Sequence, residues 1–196
     1  MSDARTVVLG VGSPLMGDDG LGVSVVQTVK TRWGPDPGLA FLDGGTWGMQ
    51  VLPFIEEADR LLIIDAIKAG EEAGSLVRLE DEEIPRHLHQ KLSPHQIDLG
   101  EVLALAQLRG TFPARAVALG IEPDRIELHE GFSDVVERSV PGLVAAVVAQ
   151  LVAWGHAPGG SAGIGSEEGI PADGAPAESG RCGEGALTPR EATVDA

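Results

Sequence analysis

Three aspartates in this chain follow or close apolar, β-branched runs, and one histidine opens a helix-like stretch. Asp19 comes after Thr6-Val7-Val8-Leu9 and a glycine-rich loop, Asp43 closes residues 39–43 in Asp43-Gly44-Gly45-Thr46, and Asp65 closes Leu62-Ile63-Ile64-Asp65. In an open α/β sheet, ligands bind beyond the carboxyl ends of the strands, so this spacing sends three carboxylates to one edge. Ser93-Pro94-His95-Gln96 has the form of a capping box, with Ser93 as N-cap and Pro94 as first helical residue. His95 then falls in the first turn, where the helix dipole disfavours imidazolium and keeps the ring neutral and able to bind metal. Carboxylates and a neutral imidazole form a mixed oxygen and nitrogen donor set suited to a borderline divalent transition ion. Each residue also has a purely structural reading: Asp19 as a helix cap, Asp43 as the fixer of a glycine turn, Asp65 as a partner for nearby amides, His95 as a surface histidine.

The loop Gly10-Val11-Gly12-Ser13-Pro14-Leu15-Met16-Gly17-Asp18-Asp19-Gly20 opens like a phosphate-cradling turn. Glycines placed directly after a strand let the backbone turn sharply and approach a ligand closely. A dinucleotide fingerprint needs a third glycine at position 15, which is Leu15, and Asp18 and Asp19 would repel pyrophosphate while attracting a cation. The loop therefore argues for a metal and against a nucleotide. Other chemistries lack their residues: there is no H-E-x-x-H and no G-x-S-x-G, and the one cysteine, Cys182, lies near the C-terminus. His87 and His89, two apart, would point to different sides of a helix, and His129 reads as a loop residue.

These residues need a scaffold. Residues 5–11, 39–43, 60–66, 74–79 and 115–121 read as strands, and 21–33, 47–57, 94–108 and 143–154 as helices. Pro53 interrupts the second helix, and a kinked turn between Ser133 and Pro141 leads into the fourth. Strands separated by helices imply a mostly parallel sheet covered on both faces. The connection from 66 to 74 is too short for a parallel crossover, so 74–79 is expected as an antiparallel edge strand.

The 196 residues carry a net charge of -16 and 43% hydrophobic side chains. That suits one α/β domain, residues 1–156, and excludes the basic face that nucleic-acid binding requires. Residues 157–196 contain nine glycines and seven acids against Arg181 and Arg190, too little apolar surface to offset ordering, and read as a disordered acidic tail. A single cysteine fits a reducing compartment, and the N-terminus lacks an apolar signal region. The apolar run Leu143 to Val152 falls short of the roughly 18 residues a membrane span needs. A soluble, cytoplasmic monomer is expected.

Taken together, Gly10-x-Gly12 with Asp18-Asp19-x-x-Gly22, Asp43-Gly44-Gly45-Thr46, Asp65-Ala66 and Ser93-Pro94-His95-Gln96 resemble the motifs of the hydrogenase maturation proteases. These endopeptidases process the large subunit of nickel-iron hydrogenases. The resemblance covers residues from about 5 to 155. It implies a three-layer α/β/α sandwich around a five-stranded, mostly parallel sheet with one antiparallel edge strand. It also implies that Asp19, Asp65 and His95 contact nickel carried by the precursor, Asp19 standing where some relatives have Glu. The implied reaction removes the C-terminal extension of the large-subunit precursor after nickel insertion, with Asp43 as a catalytic candidate that orients its turn or acts as general base. The absence of a nucleophile motif keeps a second reading open, a non-enzymatic nickel-sensing escort of the same precursor.

Overall fold

The computed structural model describes residues 4–45, 48–84 and 99–158. His87, His89, the whole Ser93-Pro94-His95-Gln96 motif, Thr46, Cys182 and all but the first two residues of the expected tail lie outside the described residues.

Five strands form one sheet: β1 (Thr6–Val11), β2 (Leu39–Gly45), β3 (Arg60–Ala66), β4 (Leu76–Glu80) and β5 (Arg115–Ile121), in the spatial order β2-β1-β3-β5-β4. Strands β2, β1, β3 and β5 run parallel, with Thr6 beside both Leu39 and Arg60 and Asp65 beside Gly120. The fifth, β4, pairs antiparallel with β5 at the edge, Leu76 against Ile121 and Glu80 against Val117. The fold expectation is met, including the antiparallel edge strand. Along β4 exposed and buried residues alternate, as befits a strand with one face to solvent, whereas Leu61 to Ile64 in β3 are all buried.

Among the described residues four helices cover the sheet: α1 (Leu21–Arg32), α2 (Leu52–Glu56), α3 (Leu99–Arg109) and α4 (Asp134–Ala153). Because successive strand residues point to opposite faces, the apolar runs divide between two cores. Val7, Leu9, Leu61, Ile63, Ala116 and Ala118 pack with residues of α2 and α3. Val8, Leu62, Ile64, Val117 and Leu119 pack on the other face with Leu21, Val25, Val26 and Val29 of α1 and Val136, Leu143, Val147 and Leu151 of α4.

Two helices differ from expectation for local reasons. Pro53 does not interrupt a helix. A 3-10 turn at Gly48–Val51 precedes α2, and Pro53 sits in the first turn of that short helix, where no amide donor is needed. The last helix begins at Asp134, nine residues before the expected start, and continues through Pro141. Ser133 caps it, its hydroxyl accepting from the Val136 amide, and Asp134 and Glu137 favour the positive end of the dipole. At 20 residues α4 is long and apolar enough by composition to cross a membrane, so the length argument made for Leu143 to Val152 does not apply. Its apolar stripe instead packs against the sheet and α1.

Candidate active site at the carboxyl edge of the sheet

The loop after β1 places Asp19. A 3-10 turn at Gly17–Gly20 leads directly into α1, whose start carries no side-chain cap, so Asp19 is not the helix cap. Its Oδ2 instead accepts from the Ser13 amide at 2.7 Å. Gly12 makes this turn possible: its φ is +104°, and a Cβ there would lie 1.8 Å from the Asp19 carbonyl oxygen. Gly22 does the same for the helix. A Cβ at that position would lie 2.1 Å from the Ile64 carbonyl oxygen and 2.5 Å from that of Val11. The close approach read from the glycines is therefore made by the chain's own backbone, which brings α1 onto β1 and β3.

Asp65 is the penultimate residue of β3 and half-buried, with Oδ1 accepting from the Ala66 amide at 2.8 Å. Desolvation, followed by the negative charge of Asp19, pushes its carboxyl up to about 7, and the Ala66 bond offsets only part of this. Asp19 is also raised, mainly by desolvation, against the lowering effects of the Ser13 amide and the Lys68 charge. The two expected ligands thus face each other closely enough to repel. Among the described residues, Asp19 Oδ1 and Asp65 Oδ2 accept no hydrogen bond, and neither carboxylate forms an ion pair. Among the described residues, no third His, Cys, Asp or Glu joins them; the expected third ligand, His95, lies outside that set.

Asp43 stands apart from this pair. It is exposed at the carboxyl end of β2, beside Gly10 in register, and its side chain accepts a long 3.4 Å bond from Gln27 Nε2 of α1. Among the described residues it does not bond the amides of its own glycine turn.

Two buried acids, neither expected as such, hold the surrounding loops. Asp18, fully buried, accepts from the amides of Asp124, Arg125 and Ser133 and from the Ser133 hydroxyl, at 2.7–3.0 Å. It thereby ties the Asp19 turn to the segment joining β5 to α4. Glu122, at the end of β5, accepts from the amides of Ala69, Gly70 and Glu71 and fixes the loop that follows β3. His129 also serves this framework through its backbone. Its amide donates to the Leu15 carbonyl, and its carbonyl accepts from the Gly17 amide, a short parallel bridge. The sequence contains the signal for Asp18 in the doubled acid, where one member faces in and the other out. For Glu122 no local signal exists, because its three donors lie 51 to 53 residues away.

Comparison with known proteins places the chain in a family. Residues 23–150 match the hydrogenase maturation protease family model, HycI, an interval that contains Asp43, Asp65 and His95 and begins just after Asp19. The chain is 36% identical to the hydrogenase 2 maturation protease of Escherichia coli K12 over 148 residues, which span 75% of this chain and 90% of the relative. It is also 36% identical to the hydrogenase expression/formation protein HupD of Rhodobacter capsulatus over 153 residues, 77% of this chain and 73% of that protein. Among solved structures, the hydrogenase maturating endopeptidase HybD from E. coli superposes with a TM-score of 0.71 at 36% identity, over 77% of this chain and 94% of that one. The chain belongs to the hydrogenase maturation proteases, a family of peptide-bond hydrolases.

Proposed function

We propose that this protein removes the C-terminal extension of a nickel-iron hydrogenase large-subunit precursor, and that it recognises the precursor by the nickel already inserted there. The observation that carries this reading is the pair Asp19 and Asp65 at the carboxyl edge of the sheet, both raised by burial, Asp65 further by the charge of Asp19. A divalent ion delivered by the substrate relieves that repulsion, and His95 supplies the third, nitrogen donor. Nickel acts here as cargo of the substrate, and no nucleotide takes part. A metal in contact with the scissile region polarises a carbonyl or activates water. Asp43, exposed at the end of the next strand but one from Asp65, is the carboxylate available to accept a proton from that water. Both protease and precursor act in the cytoplasm on this reading, which the single cysteine supports.

The test compares purified nickel-loaded and nickel-free precursor, each incubated with the protein, and follows the mass of the large subunit. The expected result is a discrete loss of C-terminal mass from the loaded form alone. Equal processing of both forms would overturn nickel recognition. Nickel-dependent complex formation with unchanged mass would identify a non-enzymatic escort instead.

A further inference from the structure

The bridge between Met16 and His129 fixes more than a loop. The Leu15 carbonyl accepts from the His129 amide at 3.1 Å, so the backbone of Leu15 runs next to that of Leu128. Both are exposed, Leu15 at 60% and Leu128 at 82%. Single exposed leucines are commonplace, but two on a ribbon of backbone segments joined by a bridge form a patch. The ribbon is rigid because Asp18, two residues beyond Met16, draws the Asp124, Arg125 and Ser133 amides inward. Beside Leu15 an open cavity of about 240 Å³ runs between Pro14, Gly20, Val23, Gln27 and Phe132, wide enough for one large side chain. Asp19 lies in the turn Gly17–Gly20 that directly follows Met16, so the patch is near the carboxylate pair along the chain.

The rim is acidic. Asp124, Glu127 and Glu130 are exposed against Arg125, which pairs with Glu127 at 3.9 Å, on a chain with a net charge of -16. A partner that fits such a surface carries apolar side chains flanked by lysine or arginine.

We propose that the Leu15–Leu128 ribbon is the substrate-docking surface, and that its occupant is a peptide segment of the precursor bearing apolar side chains next to basic residues. This rests on the proposed function above. The segment lays its apolar side chains across Leu15 and Leu128 and into the adjoining cavity, and its basic flanks face Glu127 and Glu130. Because the ribbon is held in place before binding, little ordering cost falls on the enzyme side.

The experiment measures steady-state processing of the nickel-loaded precursor by wild type, Leu15→Ser, Leu128→Ser and the double variant, at low and at raised salt. Both positions are exposed, so the melting temperature is expected to stay within about 2 °C of wild type, since surface changes are usually nearly neutral. For the double variant kcat/KM is expected to fall at least tenfold, with the loss in KM. For wild type KM is expected to rise severalfold with salt, and Glu127→Gln/Glu130→Gln to blunt that rise. An unchanged KM in the double variant, while wild type processes normally, overturns the docking surface. A salt-independent wild-type KM overturns the basic flank. Absence of processing by wild type itself overturns the proposed function rather than the docking surface alone.

Discussion

The two edges of the sheet treat their carboxylates in opposite ways. At the amino edge His156 sits between Asp36 and Thr6, with Nδ1 2.8 Å from Asp36 Oδ2 and Nε2 2.8 Å from Thr6 Oγ1. This is an Asp-His-hydroxyl array of the kind that serves nucleophilic catalysis elsewhere, yet here it is closed. Thr6 is wholly buried, the Asp36 Oδ1 also accepts from Gly38, and the His156 bond holds the Asp36 carboxyl below its ordinary range. Every polar atom has found a partner within the chain, and the array fastens the end of α4 to the start of β1. At the carboxyl edge, Asp19 and Asp65 repel each other and are both raised. Geometry that resembles catalysis is structural at one edge, and unresolved repulsion marks the other. What separates a site from a brace is the interaction left unsatisfied, not the residue types assembled.

That contrast can be broken by substitution. The largest effect is expected at Asp65. Asp65→Asn should lower nickel-dependent processing by about two orders of magnitude or more while the protein stays folded, as precursor mass analysis and circular dichroism would register. Retained processing would remove Asp65 from the site. Next comes Asp18. Asp18→Ala strands the buried Ser133 amide and hydroxyl and two part-buried amides, and chemical denaturation should show a loss of about 3–5 kcal/mol. A loss under about 1 kcal/mol would mean that the loop clamp is dispensable.

At the amino edge His156→Ala should cost about 1–2 kcal/mol and leave processing of the surviving folded protein unchanged, the reverse of the Asp65 result. A loss of processing at full stability would promote the brace to a working site.

The smallest effect is a difference in pH slope. Asp65 binds its proton more tightly folded than unfolded, with a value of about 7 against an ordinary 3.8. Its contribution to stability is therefore fully present below about pH 4 and is lost as the pH rises through 7. Asp36 has the opposite sign: its contribution is present above the ordinary carboxylate range and is lost as the pH falls through its lowered folded value. Melting curves of Asp65→Asn should rise relative to wild type between pH 5 and pH 8, whereas Asp36→Asn should be most costly near neutrality and least so in acid. Parallel pH profiles for both variants and wild type would erase the distinction between the two edges.

The sheet was legible because its signal is short-range. Apolar β-branched runs at Thr6–Val11, Arg60–Ala66 and Arg115–Ile121 need no partner to be read, and the brief link from Ala66 to Leu76 implies an antiparallel strand by reach alone. Asp19 and Asp65 were legible as a pair because strand ends converge by topology. The start of α4 was not, since Pro141 reads as a break and the helix survives it through the Ser133 cap and a long buried stripe. The roles of Asp18 and Glu122 were least accessible. Each is defined by amides that the folded chain brings from 50 or more residues away, and no local pattern records such a bond.

The contact at Gly22 has an evolutionary consequence. The hydrogen that stands in place of a methyl at Gly22, three residues after Asp19, lets α1 touch the Ile64 carbonyl, one residue before Asp65. Any larger residue would act as a wedge, levering the helix start off the strand and widening the gap between the two carboxylates. A complete substitution scan should therefore find position 22 as intolerant as the aspartates themselves, because its neighbours are the chain's own carbonyls. Drift in this lineage is constrained by an absence, with the spacing of the carboxylate pair gauged by a side chain that is not there.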